Sequence, residues 1–99
     1  VAQYDICRLN SGSTLVLDCQ SDLLDQLETR FVIPLIAKNT APIPAKRLNP
    51  SFIVKDQELI LFPQFAATIR TSEIAAIIGS LADQNIEIGN AIDMLLSGF

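Results

Sequence analysis

The apolar pattern of this chain changes period once, near its end. Up to Arg70 hydrophobic residues alternate or run in short blocks between turn signals. From Asn85 onward Ile88, Ile92, Leu95 and Phe99 fall at i, i+4, i+7 and i+11. The first pattern belongs to strands and the second to one stripe of a helix. The chain is therefore read as mainly β with one C-terminal α-helix. Its 99 residues fit a single domain, 1–99, that can bury a core without metals or disulfides to staple it.

The first two strands predict their own register. "AQYDICRL" and "TLVLDCQ" flank the turn-rich "NSGS". If Leu9 faces Thr14, then Ile6 faces Leu17 and Tyr4 faces Cys19. Leu15, Leu17 and Cys19 then share a core face with Tyr4 and Ile6, while Cys7 falls opposite Val16 on the other face. The two cysteines are expected as free thiols, which suits a reducing cytoplasm. A register slip of one residue would reverse the conclusion.

"SDLLDQLETR" reads as a polar loop or one helical turn. "FVIPLIA" is apolar on both faces, as in a buried strand, and Pro34 within it calls for an edge or a bulge. Pro42, Pro44 and Pro50 forbid regular helix across "KNTAPIPAKRLNP". "SFIVKDQELILF" reads as a hairpin turning at Asp56-Gln57, and "FAATIR" as a further strand. "TSEIAAIIGSLADQ" is ambiguous, because Ile74, Ile77, Ile78 and Leu81 have helical spacing but Gly79 interrupts it. Asp83 or Asn85 can cap the final helix.

Chemistry is sparse. There is no histidine, the commonest general base and zinc ligand. No nucleophile elbow, P-loop or dinucleotide fingerprint occurs. Asp18, Asp22 and Asp25 read as a solvated loop at a hairpin end, not as a metal or acid–base site. Arg30 beside Glu28 lacks a partner for proton transfer. No cofactor or metal is expected, and the chain reads as a binding protein, not an enzyme. A net charge of −4, with only Lys46-Arg47 adjacent among the basic residues, argues against nucleic-acid binding. No apolar run reaches membrane-spanning length. The N-terminal stretch also lacks the basic start and apolar block of an export signal.

The helix is apolar on more than one side, since Met94 and Leu96 lie off its main stripe. That suggests a second helix from another copy, with Ile88, Ala91, Ile92 and Leu95 at the dimer interface and Ala91 permitting close approach.

Four blocks, "LVLDCQSDLLD", "TRFVIPL", "RLNPSFIVKDQELILFPQFAAT" and "IGSLADQNIEIGNAIDMLLSGF", closely resemble the CcdB family of bacterial toxins. The most specific pieces are Asp-x-Gln-Ser-Asp after the second strand, the Val-Ile-Pro-Leu strand and the Gly-terminated helix. The resemblance implies an SH3-like twisted β-barrel of the CcdB/MazF type, and a symmetric cytoplasmic dimer with its helices near the two-fold axis. It also implies a poison of DNA gyrase: the helix end enters the gyrase A subunit dimer and stabilises cleaved DNA, and a CcdA-like antitoxin neutralises it. Gyrase binding would then fall to Ser97, Gly98 and Phe99. Gly98 matches the family glycine, Phe99 replaces a common isoleucine, and Ser97 departs from the tryptophan of the best-known member. The resemblance further implies that "SEIAAIIG" is extended. Two other readings stand beside this one: a non-toxic dimeric member that only binds antitoxin, and a MazF-like endoribonuclease sharing the barrel.

Overall fold

The computed structural model describes residues 1–98. Strands β1 (Asp5–Leu9) and β2 (Leu15–Asp18) form the opening hairpin, with Ile6 opposite Leu17 and Cys7 opposite Val16. The Leu9 N–H donates to the Thr14 carbonyl at 3.2 Å, which is the expected register. Tyr4 departs from expectation. Its φ is +69°, so it precedes the strand instead of pairing in it, yet its ring still packs on the face that holds Cys19.

Strand β3 (Thr29–Ala37) pairs with β2 from Leu15 opposite Leu35 to Asp18 opposite Val32. Its other edge has two partners. Strand β5 (Gln57–Leu61) pairs with Leu35–Ala37, and β6 (Ala67–Arg70) pairs with Thr29–Val32. Pro34 sits in the gap between them. The sequence pointed to an edge or a bulge, but β3 is interior and its β2 register is unbroken. The Pro34 carbonyl accepts the Phe62 N–H at 3.1 Å. Because the N and O of a strand residue point to the same edge, the missing N–H faces Phe62, whose carbonyl is instead taken by the Phe65 N–H at 2.9 Å and is not left unpaired.

Strands β4 (Ser51–Val54) and β5 form the second hairpin. Its turn is Lys55-Asp56, one residue earlier than expected, with φ of +51° and +65°. Two positive-φ residues match a type I′ turn, usually marked by Asn-Gly or Asp-Gly; here no glycine marks it.

The ambiguous segment is strand β7 (Ile74–Ser80), paired with β1. Its helix-like spacing has a physical source. The register passes from Ile6–Gly79 to Cys7–Ile77, and from Arg8–Ala76 to Leu9–Ile74, so Ile78 and Ala75 are extra residues. Each bulge shifts the side-chain phase by one, which turns a period of two into spacings of three and four.

The seven strands form one antiparallel sheet in the order β4-β5-β3-β2-β1-β7, with β6 also on β3. It curls into a half-barrel, in keeping with the expected SH3-like architecture. A 3-10 turn at Ala82–Gln84 leads into α1 (Asn85–Ser97). Neither Asp83 nor Asn85 caps this helix: Gln84 holds the N-cap position without a side-chain bond. The Ala82 N–H instead donates to Ser80 Oγ at 3.1 Å, and the Gln84 N–H to the Leu81 carbonyl at 2.9 Å.

The main core gathers Ile6, Leu17, Ile33, Leu61 and Phe52 under Ile88 and Ala91 of α1. A second cluster, Cys7, Val16 and Val32, lies on the opposite face under Leu9, Ile69 and Ile74. Cys7 and Cys19 are both buried and free, one in each cluster. Burial, with Asp18 adding to it, pushes Cys7 up to about 11 and Cys19 up to about 12. Neither thiol should react with a thiol reagent in the native protein at pH 8, and both should react once it is denatured without reductant. The folded pKa values lie above the unfolded value of 9.0. Stability from these thiols is therefore complete below about pH 9 and is lost as pH climbs toward 11 to 12. A Cys7→Ala, Cys19→Ala variant should show a flatter decline over that window in urea unfolding.

Candidate functional site

The Asp-x-Gln-Ser-Asp run forms a polar clasp at the end of β2. Asp18 is fully buried, not solvated as its sequence neighbourhood suggested, and its partner is the equally buried Arg30. Arg30 Nε donates to Asp18 Oδ2 at 2.8 Å. Arg30 Nη2 is as close to that same oxygen, 2.8 Å, but too poorly angled for a hydrogen bond. The pair is not a bidentate fork: Arg30 contacts only Oδ2, and Asp18 Oδ1 accepts the Gln20 N–H at 3.0 Å. Gln20 then bridges outward: Oε1 accepts the Phe31 N–H at 3.0 Å, and Nε2 donates to the Leu24 carbonyl at 2.9 Å. Ser21 Oγ accepts the Leu23 N–H, capping the 3-10 turn Asp22–Leu24, and Asp22 Oδ1 accepts the Gln3 N–H at 2.8 Å. Spacing alone did not link Asp18 to Arg30, twelve positions apart; only the β2–β3 register brings them to one face.

The helix end is built differently. Ile88 and Ala91 are buried against the chain's own core, and Ile92 is half-buried on it. Two of the four residues expected at a helix–helix contact are thus already covered within one chain. A second copy gains no area from Ile88 or Ala91, and their role is to seat the helix. Leu95 is 43% exposed and Leu96 77%. Ser97 Oγ donates back to the Asp93 carbonyl at 3.0 Å. Gly98 ends the helix in the left-handed region, φ +78°, and its N–H donates to the carbonyls of Asp93 and Met94 at 3.2 and 3.1 Å. This is the αL cap that glycine accepts at no steric cost. No basic residue lies in the last turn, so the negative end of the helix dipole is uncompensated. A side chain at Gly98 would meet nothing within 4 Å. Phe99 lies outside the described residues.

Among the described residues, no group of three or more His, Cys, Asp or Glu lies together as a metal site. No helix of the described residues is long and apolar enough to cross a membrane. The protein-family model described as "CcdB protein" matches residues 3–98. The chain belongs to the CcdB family. A search of curated proteins found no match. The CcdB family is one of toxin–antitoxin gyrase poisons, gyrase-binding toxins and not themselves enzymes. Dimerisation and contacts with antitoxin and gyrase are general to it. In this CcdB chain the most specific sequence piece, Asp18 to Asp22, is thus an internal clasp, and the Gly-terminated helix is an outward-facing end.

Removing one partner of a buried ion pair leaves the other charge stranded. Arg30→Met and Asp18→Val should each lower unfolding stability by about 3–5 kcal/mol. Changing both together should cost clearly less than the sum. A loss below about 1 kcal/mol from either single change, the range of exposed pairs, would mean that the pair is not desolvated.

Proposed function

We propose that this CcdB-family chain is the toxin of a bacterial toxin–antitoxin pair acting in the cytoplasm. Two copies form a homodimer that binds the DNA gyrase A subunit dimer and stabilises the complex holding cleaved DNA. Ser97, Gly98 and Phe99 make the contact, and a CcdA-like antitoxin neutralises it. The observation that carries this reading is the capped helix end, which projects exposed Leu95 and Leu96 and where, among the described residues, a Cβ at Gly98 would meet nothing within 4 Å. A close backbone approach at Gly98 needs the absence of a side chain. The uncovered carbonyl end of α1 suits a target that supplies N–H or cationic groups. Two tails on a two-fold dimer engage a two-fold target at once, which raises affinity through effective concentration.

The endoribonuclease alternative has little to work with. Arg30, the cation singled out beside Glu28, is buried against Asp18 and closed to a substrate phosphate. The non-toxic alternative rests on Ser97, whose hydroxyl turns back onto Asp93.

Dimerisation is assigned to Ile92 and Leu95, the interface residues with surface still to cover. Sedimentation at micromolar concentration should give twice the chain mass. Leu95→Glu should shift it to the monomer while leaving the fold intact; an unshifted dimer would place the contact elsewhere.

Expression of the wild type should arrest growth and trap cleaved DNA on gyrase. Gly98→Glu, at equal abundance, should be harmless, since it sets a charged side chain at the contact and strains the left-handed cap. If both proteins are harmless, the non-toxic reading replaces this one. If both are toxic, the helix end is not the site.

A further inference from the structure

The segment between β3 and β4 combines exposure with fixed geometry. Ile43 is 96% exposed, the highest value among the large hydrophobic residues described. It lies between Pro42 and Pro44, so two of the nearest backbone N–H groups are missing and the segment is not available as a β-edge. Lys46 and Arg47 follow, both exposed, and no acidic residue occurs from Thr40 to Pro50. Lys38, by contrast, is already within 3.5 Å of Glu58.

The turn that presents the basic pair is anchored from beneath by one buried side chain. Asn49 Oδ1 accepts the Ala45 N–H at 2.9 Å, and the Asn49 N–H donates to the Ala45 carbonyl at 3.1 Å. Its Nδ2 donates to the Leu61 carbonyl at 3.0 Å and to Gln64 Oε1 at 2.8 Å. Arg47 is held at φ +68°, a conformation unusual for arginine that local structure must enforce. Beside it a cleft of about 470 Å³, lined by Arg47, Pro50, Glu87 and Asn90, separates the turn from the N-terminal half of α1. Glu87 is ten residues from Ser97, about 15 Å along the helix axis. The turn and the helix end are therefore distinct surfaces.

We infer that this Asn49-anchored turn is a docking site for an acidic polypeptide segment bearing aliphatic or aromatic side chains. Lys46 and Arg47 pair with its carboxylates and Ile43 with its apolar groups. Charge complementarity selects that partner: the turn carries the one adjacent basic pair of the sequence, Lys46-Arg47, with no carboxylate of its own, on a chain of net charge −4, and an acidic segment is steered toward it. Prolines and the Asn49 anchor remove ordering cost in advance.

The test uses the full chain and a fluorescein-labelled synthetic peptide of repeating Asp-Leu-Glu-Trp units, read by anisotropy. Saturable, salt-sensitive binding is expected, at least tenfold weaker for Lys46→Glu with Arg47→Glu and several-fold weaker for Ile43→Ser. Gly98→Glu should bind the peptide as the wild type does, so failure here and failure of the helix end as a gyrase contact are told apart. Asn49→Ala should weaken binding while circular dichroism shows the sheet intact. If Asn49→Ala unfolds the chain, the Lys46 and Arg47 variants decide alone. No binding up to about 1 mM, the weakest range worth calling specific, overturns the inference. So does binding that those charge reversals leave unchanged, or tighter binding of a polyuridylate probe at the same residues.

Discussion

The architecture turns on one strand whose two edges are treated differently. Along one edge β3 keeps a single partner in unbroken register; along the other it is shared between β5 and β6. The two partners take successive stretches of that edge, and the sheet that they share curls strongly into a half-barrel. Pro34 stands where they part, opposite a carbonyl, that of Phe62, already satisfied by the Phe65 N–H. The roll puts apolar clusters on both faces and explains why adjacent residues Val32 and Ile33 are both buried.

Curvature alone does not fix the β2–β3 corner. There the sheet buries a carboxylate and a guanidinium instead of apolar groups, and Gln20 links them to the backbone on both sides. Such a pair contributes little net stability over a well-packed apolar replacement, but it penalises any register that separates it. The 3-10 turn carrying Leu23 and Leu24 is held by side chains of this same run, so its position is inherited from the corner.

Local signals were legible where the side-chain period is undisturbed. The first hairpin, the separation of Cys7 from Cys19, the doubly buried "FVIPLIA" strand and the final helix could all be read from alternation and stripe. Bulges hid β7, because two inserted residues imitate helical spacing. A type I′ turn built from Lys55 and Asp56 hid the second hairpin's corner by a residue. The helix begins where the stripe does, at Asn85, but its expected cap was not there to be read, because a 3-10 turn, not a polar side chain, supplies its first bonds. At the site, the glycine-terminated helix was visible, whereas the Asp18–Arg30 pair was not: its partners meet through strand register, which no local window contains. The same limit applies to the helix stripe, whose period marks Ile88 and Ala91 as apolar without saying which surface covers them.

The pairing of β7 with β1 joins residues 74–80 to residues 5–9, some seventy positions away. During synthesis the opening hairpin therefore waits with one edge bare until residue 80 has been made. Proteins dominated by such distant pairings fold in milliseconds to seconds, not microseconds, but translation at about 5–20 residues per second is slower still. The ribosome, not the folding barrier, sets when the sheet closes. Until then Cys7 and Val16 lack the cover that Ile74 provides, and a nascent chain is exposed to oxidation, proteolysis and edge pairing. In the finished chain β7 is itself the edge strand, and the two bulges that obscured it in the sequence interrupt the flat template that edge pairing needs.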